Sequence, residues 1–383
     1  MKVALFANTE WYLFNFRLPL AKALVKAGHE VVLISPPGPY GEKLAAAGFR
    51  WIAFPLNRAG TNPFGELGTL LRLISLYRKE RFDLVHHFTI KCVIYGGIAA
   101  RLSSAMSVAA ITGLGHVFTT YSLKNRLLGH VLRPLYRSAL GQARVIFQNP
   151  DDMSTFLALG LVAEHQCHLI RGSGVNTQRF APLEITKQNE PGYVLFVGRL
   201  LREKGIFEFI DAARMLAQRL PQTRFVVAGT GYDGNPSSVS PAQLLQWQSI
   251  PNVTFLGHVD DMLPLYHGAA MAVLPSYREG TPRSLLEAAA CALPLIAADA
   301  SGSREVCRQA ETGLLVPLRD SNALAEAIFK LAQDSKLRAA YGRSARRMAV
   351  EEFDESIVIS STIEVYQWQG ELRQTAENAP VTK

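Results

Sequence analysis

Short apolar runs recur along the chain and alternate with amphipathic segments. In the first half the runs are KVALFAN, VVLIS, WIAFPL, DLVHH, VAAIT and VIFQN, and in the second half YVLFVG, RFVVAG, NVTFLG, MAVLPS, LIAAD and GLLVPL. Unbroken apolar strands are buried on both faces, which is typical of parallel sheets covered by helices. The pattern therefore predicts an α/β protein with two tandem doubly wound, Rossmann-like domains.

The alternation is interrupted in the polar, proline-bearing stretch RFAPLEITKQNEPG, residues 179–192. We therefore expect one domain over residues 1–185 and a second over residues 186–353, with residues 354–383 forming a C-terminal helix that would pack back on the first domain. Ligands of open parallel sheets bind beyond the carboxyl ends of the strands, so the expected site is an interdomain cleft.

The composition of the chain predicts where in the cell the protein is found. A hydrophobic fraction of 48% with 19% charged residues describes a soluble globular chain, and no apolar run approaches the length of a membrane span. The start, MKVALFANTE, predicts a first strand rather than a signal peptide. The 4 cysteines have no paired spacing, which is typical of reduced thiols. A cytoplasmic protein is expected.

Positive charge is concentrated in the first half. Residues 1–185 contain 20 Lys and Arg against 10 Asp and Glu, whereas residues 186–383 contain 20 against 22. This asymmetry favours an anionic partner, either a membrane surface or nucleic acid. Residues 122–145 interleave leucines with basic residues and either lie on an anionic membrane or form an ordinary helix with a solvated basic face. The basic residues of this segment are Lys124, Arg126, Arg133, Arg137 and Arg144.

Two glycine-containing loops follow strands of the second domain. In the first, Arg199 and Lys204 flank a turn where a diphosphate would meet helix amides and two cations. This loop lacks the spacing of an ATP-binding P-loop. The second, GTGYDG at residues 229–234, fits a dinucleotide fingerprint but is followed by NPSSVSP instead of a helix. We interpret it as a glycine turn, which disfavours a dehydrogenase.

The stretch YREGTPRSLLEAAA, residues 277–290, places two carboxylates around a predicted helix start. Thr281 suits the N-cap and Pro282 the first helical position, so Glu279 would lie in the preceding loop and Glu287 inside the helix. An ionised Glu287 in an apolar run requires a partner. The chain contains no Asp-x-Asp pair, so we expect neither a metal nor a cofactor.

The loop GRLLREKG followed by EGTPRSLLEA resembles the retaining glycosyltransferases of family 4, which have the GT-B fold. The resemblance covers essentially the whole chain and implies that residues 1–185 bind the acceptor and residues 186–353 the nucleotide-sugar. It implies catalytic roles for Arg199, Lys204, Glu279 and His116. It implies donor binding by Arg199, Lys204, Gly257, His258, Glu279, Gly280, Thr281 and Glu287. Glu279 and Glu287 would accept hydrogen bonds from hydroxyl groups of the donor instead of forming the acid and nucleophile of a glycosidase.

In the first domain the resemblance points to the loop after the first strand, with Asn15 and Arg17, as a contact for donor phosphate and acceptor. His116 lies in TGLGHVF, where relatives often place a histidine against the donor sugar. His86 and His87 close the strand DLVHH and are expected to point at the same crevice, one of them with a structural role.

The stretches FNFRLPLA, TGLGHVFT and RGSGVNTQRF are similar to bacterial enzymes that extend polyprenyl-diphosphate-linked saccharides. This implies a UDP-sugar donor, with UDP-GalNAc, UDP-GlcNAc and UDP-galactose as candidates, and a lipid-linked saccharide acceptor. The expected location is peripheral, on the inner face of the cytoplasmic membrane, with an anionic membrane surface and no nucleic acid as partner. The alternative is a UDP-sugar epimerase or hydrolase on the same fold.

Overall fold

The computed structural model describes residues 1–57, 62–113, 123–183, 192–231 and 235–377. The chain divides into two compact units, one formed by Met1–Ser173 with Val358–Lys383 and the other by Gly174–Ile357. The predicted domain boundary between residues 185 and 186 lies outside the described residues.

Unit 1 is built on a parallel sheet that has, in the described residues, 7 strands in the order β3-β2-β1-β4-β5-β6-β7. The strands are β1 (Lys2–Phe6), β2 (Glu30–Ser35), β3 (Arg50–Ala53), β4 (Leu84–Phe88), β5 (Met106–Ile111), β6 (Arg144–Phe147) and β7 (Cys167–Leu169). The helices are α1 (Glu10–Tyr12), α2 (Leu18–Lys26), α3 (Tyr40–Ala46), α4 (Pro63–Glu80), α5 (Ile90–Leu102), α6 (Leu123–Leu140) and α7 (Pro150–Ala158).

Unit 2 is built on a second parallel sheet, with 6 strands in the described residues, in the order β10-β9-β8-β11-β12-β13. The strands are β8 (Tyr193–Val197), β9 (Phe225–Ala228), β10 (Val253–Gly257), β11 (Ala269–Leu274), β12 (Leu295–Ala298) and β13 (Gly313–Val316). The helices are α8 (Ile206–Leu216), α9 (Pro241–Gln248), α10 (Leu263–Gly268), α11 (Arg283–Ala290), α12 (Ser303–Val306), α13 (Ser321–Gln333) and α14 (Ser335–Glu352). The last helix of the chain, α15 (Glu355–Glu377), returns to unit 1 from Val358 onward.

The doubly wound α/β prediction is confirmed. Every residue of the central strand β4 is buried, as is every residue of β9 and β12, because helices cover both faces of each sheet. The last helix, α15, contributes Val358, Val365 and Tyr366 to the same apolar cluster as Val3 and Leu5 of β1. The C-terminal helix therefore belongs to the core of unit 1.

The basic segment 122–145 is only partly a solvated helix face. The side chains of residues 122–131, including Lys124 and Arg126, lie outside the described structure, and Arg133 is exposed. Arg137 donates to the carbonyl oxygens of Gly160 (3.0 Å) and Leu159 (3.3 Å) at the end of α7. Arg144 is buried because it opens β6, where it donates to the carbonyl oxygen of His165. The inclusion of Arg144 in a membrane-facing stripe was wrong.

Both strand orders reverse direction beside the first strand of their sheet, between β1 and β4 and between β8 and β11. Loops that leave neighbouring strands toward opposite faces open a crevice at this point, where ligands of doubly wound sheets bind. The predicted loops with Asn15, Arg17, Lys204 and Glu279 follow β1, β8 and β11, so they all leave strands that flank a reversal.

Candidate active site

The loop between β8 and α8 lies at the reversal point of unit 2. Arg199 is exposed in this loop, and a 3-10 turn at Arg202–Lys204 brings the chain to Gly205. Gly205 has a φ of +75°, and a Cβ atom there would lie 2.2 Å from the carbonyl oxygen of Pro275. Only glycine allows the two loops that follow β8 and β11 to approach this closely.

Hydrogen bonds fasten the two loops to each other. The backbone N–H of Tyr277 and the hydroxyl of Ser276 both donate to the carbonyl oxygen of Glu203, at 2.9 and 3.0 Å. The Tyr277 hydroxyl donates to Oε1 of Glu208 at 2.7 Å. Burial and this carboxylate raise the pKa of Tyr277 to about 12, so its hydroxyl remains a donor at neutral pH. The β11 loop is therefore positioned by the start of α8.

Lys204 and Glu279, one from each loop, form an ion pair. Nζ of Lys204 lies 2.5 Å from Oε1 of Glu279, and the two side chains are 19% and 12% exposed. A charged pair so poorly solvated requires close geometry to offset its desolvation. The three ammonium protons also leave Lys204 able to bind an anion while it holds Glu279.

Glu287 has the partners that an acid in an apolar helix requires. Its Oε1 accepts from Nε of Arg283 at 2.9 Å and its Oε2 from the hydroxyl of Tyr266 at 3.0 Å. Burial, followed by the charge of Glu287, holds the pKa of Tyr266 well above its usual value. Neither partner was predicted from the sequence. Arg283 was detectable, since residues four apart on a helix lie on one face, whereas Tyr266 comes from a different helix.

If Glu287 binds a ribose hydroxyl of UDP, as the resemblance implies, replacing Tyr266 by phenylalanine should weaken UDP binding about threefold to tenfold, because Glu287 loses one of the two donors that orient it. The measurement is isothermal titration of UDP into the purified protein. Tyr193→Phe is the matched control, since the Tyr193 hydroxyl donates to the carbonyl oxygen of Leu265 (2.7 Å) in the same unit without touching either glutamate. Equal UDP affinity in the two variants would contradict the orienting role.

The helix that contains Glu287 begins one residue later than expected. Pro282 has an extended ψ of 105° and is the residue before α11, and no side chain caps the helix. Thr281 is therefore not the N-cap, and Pro282 is not the first helical residue. Gly280 and Thr281 lie in the loop before the helix, with Gly280 buried. Gly302, which was not predicted as a site residue, packs on this loop, since a Cβ atom added there would lie 2.3 Å from the carbonyl oxygens of Glu279 and Gly280.

Gly257 and His258 follow at the end of β10, an edge strand of the same sheet. Gly257 has a φ of +71° and His258 is exposed, with Nε2 3.3 Å from Oδ1 of Asp260. Part of the GTGYDG motif, Tyr232 to Gly234, lies outside the described residues. The next helix in the described residues begins at Pro241.

In unit 1, Arg17 ends a π-helical turn, Leu13–Arg17, that follows α1. Its side chain is buried, with Nη2 2.7 Å from the hydroxyl of Tyr12 and the guanidinium 4.3 Å from the ring centre of Phe88. Within the described part of the chain no carboxylate pairs with it. A buried cation without a counter-ion is suited to an anionic ligand. Asn15 donates to the carbonyl oxygen of Trp11 at 2.9 Å.

His86 and His87 do not point the same way. Both are buried, and successive residues of a strand face opposite sides of the sheet. Nδ1 of His86 lies 2.6 Å from the hydroxyl of Tyr366, whereas both ring nitrogens of His87 lie 3.2 Å from hydroxyls, those of Tyr77 and Ser107. The expectation of a shared crevice was wrong because it ignored strand alternation.

Acidification should destabilise unit 1 through these histidines. Burial lowers the pKa of His87 to about 3 and that of His86 well below its usual value. The unfolded chain binds these protons below about pH 6.5, so stability is lost as pH falls from there toward 3. For His87 alone the loss is about 2 kcal/mol at pH 5.

Urea unfolding at pH 7 and pH 5 tests this effect. His87→Gln should be less stable than the unsubstituted protein at pH 7, with a pH dependence smaller by about 2 kcal/mol. Val85→Ala is the control, because it removes a buried side chain of the same strand that has no titratable group, so it should lower stability and leave the pH dependence unchanged. An unaltered pH dependence in His87→Gln would contradict the assignment.

The structure thus brings Lys204, Glu279, Gly280 and Thr281 together on two fastened loops, with Glu287 on the helix that follows. Arg199 shares the first of these loops. His116 lies outside the described residues. Asn15, Arg17, His86 and His87 belong to unit 1.

Two family models match this chain, one in each unit. Residues 178–348 match the family model of glycosyl transferases group 1, and residues 2–149 match that of glycosyl transferase 4-like proteins. A Campylobacter jejuni protein, N,N'-diacetylbacillosaminyl-diphospho-undecaprenol alpha-1,3-N-acetylgalactosaminyltransferase, is 29% identical over 96% of this chain and 98% of its own length. The UDP-Gal:alpha-D-GlcNAc-diphosphoundecaprenol alpha-1,3-galactosyltransferase of Escherichia coli is 26% identical over 71% of this chain and 72% of its own.

Among solved structures, HepE of Anabaena in complex with UDP and glucose superposes with a TM-score of 0.76. It is 20% identical and covers 96% of this chain and 99% of its own. At that identity the likeness concerns the fold.

Proposed function

Because the chain belongs to the GT-B glycosyltransferases with a 4-like first domain and a group 1 second domain, we propose that it moves a sugar from a UDP-sugar to a polyprenyl-diphosphate-linked saccharide. The observation that carries the proposal is the Lys204–Glu279 pair beside the start of α11, with Glu287 on the same helix. This arrangement offers a cation for a diphosphate and two carboxylates for hydroxyl groups. A sugar nucleotide carries both kinds of group.

In the proposed complex, Arg199 and Lys204 neutralise the donor diphosphate, and amides of Gly280 and Thr281 bind the sugar-diphosphate. Glu279 accepts hydrogen bonds from hydroxyl groups of the transferred sugar. Each oxygen of Glu287 has one protein partner and keeps a lone pair for a ribose hydroxyl. Gly257 and His258 would lie beside the base.

We propose transfer with retention of configuration by attack on the face from which UDP departs. The bond between the anomeric carbon and the β-phosphate oxygen breaks as the bond to the acceptor oxygen forms. The acceptor proton passes to the departing phosphate oxygen, so no protein carboxylate has to become covalently bound. Stabilisation of the charge that develops on UDP is then the main contribution of Arg199 and Lys204.

The names of the relatives from Campylobacter and Escherichia coli support a lipid-linked acceptor and an α-linked product. Among the donor candidates they favour UDP-GalNAc and UDP-galactose over UDP-GlcNAc. The buried Arg17 of unit 1, which has no paired carboxylate in the described residues, is the proposed contact for an anionic group of donor or acceptor. We place the enzyme as a peripheral protein on the inner face of the cytoplasmic membrane.

The test is incubation of the purified protein with each of the three UDP-sugars and a short-chain polyprenyl-diphosphate monosaccharide. We expect one donor to give a product larger by one sugar in mass spectrometry, with an α linkage in the proton NMR spectrum. GDP-mannose is the control donor. Donor consumed equally fast without acceptor would instead support the epimerase or hydrolase alternative, and a β linkage would refute retention.

A further inference from the structure

The helix α4 of unit 1 carries an apolar stripe on its solvent face. Phe64 is 87% exposed, Leu67 54% and Leu71 58%. Spacings of three and four residues place these side chains one above another over the first turns of the helix. The opposite face, with Leu73 and Tyr77, is buried in the core of the unit. Packing against the described residues of unit 1 therefore does not account for the stripe.

The acidic residues of α4 are neutralised within the unit. Oε1 of Glu66 lies 2.6 Å from Nζ of Lys91. Glu80 binds Lys2 at 2.9 Å and Arg50 at 2.7 Å, and the bond from Arg50 holds the pKa of Glu80 down at about 2. Neither carboxylate therefore cancels the positive charge that α4 presents to solvent.

The basic residues of α4 are Arg72, Arg78 and Lys79, and all three are exposed. Arg72 donates to the carbonyl oxygen of Gly68 and the hydroxyl of Thr69, and Arg78 donates to the carbonyl oxygen of Leu102. These are neutral acceptors. The solvent face of α4 thus combines an apolar half with a cationic half.

We propose that α4 docks this protein on an anionic phospholipid bilayer, with Phe64, Leu67 and Leu71 entering the headgroup and acyl boundary and the three cations contacting phosphates. Apolar side chains that insert and cations that bind headgroups are the two elements by which amphipathic helices adsorb to membranes. Nucleic acid would use the cations and leave the stripe exposed. The inference rests in part on the proposed function, which places the acceptor in a membrane.

The position of the stripe suits a lipid-linked acceptor. Because α4 follows β3, its first turn lies at the carboxyl edge of the unit 1 sheet, the edge that also carries Arg17. A cavity of about 540 Å³ adjoins the same turn, lined among others by Pro36, Asn57 and Thr69. Docking through the stripe would hold this edge of the sheet close to the bilayer. None of the helices in the described ranges is long and apolar enough to cross a membrane.

The test is sedimentation of the purified protein with vesicles of phosphatidylcholine and phosphatidylglycerol at a molar ratio of about 7:3, without donor or acceptor. The triple variant Phe64→Gln, Leu67→Gln, Leu71→Gln should bind at least about thirtyfold more weakly, since three inserted side chains are lost. The matched control replaces three exposed residues of unit 2 by glutamine. They are Met215, Leu245 and Val350, which are 44%, 71% and 40% exposed. This control should bind as the unsubstituted protein does.

Equal binding by the triple variant, or no binding by the unsubstituted protein, would overturn the proposal. If the unsubstituted protein bound equally well to vesicles of pure phosphatidylcholine, the proposed requirement for anionic lipid would be wrong. A dimer in sedimentation equilibrium that the triple variant converts to a monomer would instead make the stripe an interface between copies. Transfer to a short, water-soluble acceptor should be unchanged in the triple variant, so a failure of docking and a failure of the proposed reaction are distinguishable.

Discussion

Lys204→Ala is expected to lower kcat/KM for the UDP-sugar about tenfold to a hundredfold. A charge-assisted contact with the diphosphate is worth roughly 1.5–3 kcal/mol, and it strengthens as charge develops on the departing nucleotide. The structure adds a second cause. Glu279, whose side chain is 12% exposed, loses the cation 2.5 Å away and would then repel the diphosphate. Steady-state kinetics with varied donor concentration measure the effect.

A double-mutant cycle separates the two causes. Glu279→Gln in the Lys204→Ala background removes the negative charge that faced Lys204, so it should recover part of the lost donor affinity without restoring kcat. Arg214→Ala is the control, because Arg214 forms an exposed ion pair with Asp211 elsewhere in unit 2, and activity should change less than about twofold. Unchanged turnover in Lys204→Ala would remove Lys204 from the proposed catalytic group.

Strands were predictable where the chain is buried on both faces. The apolar runs of β9 and β12 were recognisable from the sequence alone, because both faces of these strands are buried and every residue in them is apolar. The strand β7 was missed, since Cys167–Leu169 is a three-residue edge strand with a histidine at its centre. The helix α14 was missed because its sequence, SKLRAAYGRSARRMAVEE, offers few large apolar residues to define a face.

The site was predictable to the extent that it lies at strand ends. Lys204 and Glu279 were placed on loops after β8 and β11, and parallel strands bring such loops to one edge. Their direct contact was not predictable, nor was the bond from Tyr266 to Glu287, since each joins residues far apart in sequence. His86 and His87 were predicted to point at the same crevice, although successive residues of a strand face opposite sides of the sheet and this could be known from the sequence.

Gly302 illustrates a structural constraint that the sequence pattern does not reveal. The residue has a φ of +76°, and its backbone lies directly against the loop that carries Glu279. The N–H of Glu279 also donates to the carbonyl oxygen of Ser301 at 3.0 Å. The loop after β12 therefore packs against the loop that is predicted to bind the sugar and supports it. No motif in SGSREV indicates this contact, because the partner lies more than twenty residues away.

Gly302→Ala is consequently expected to lower kcat/KM about a hundredfold. A Cβ atom 2.3 Å from two carbonyl oxygens forces the loop of Glu279 and Gly280 to move by about 1 Å, and a displacement of that size in a positioning group can cost two orders of magnitude. Gly48→Ala is the matched control, since Gly48 has a φ of +88° with nothing within 4 Å of its Cβ. That variant should lose about 1–2 kcal/mol of stability from backbone strain and keep its activity. If donor kinetics and thermal unfolding show the same change in both variants, strain alone explains Gly302 and the loop contact has no catalytic importance.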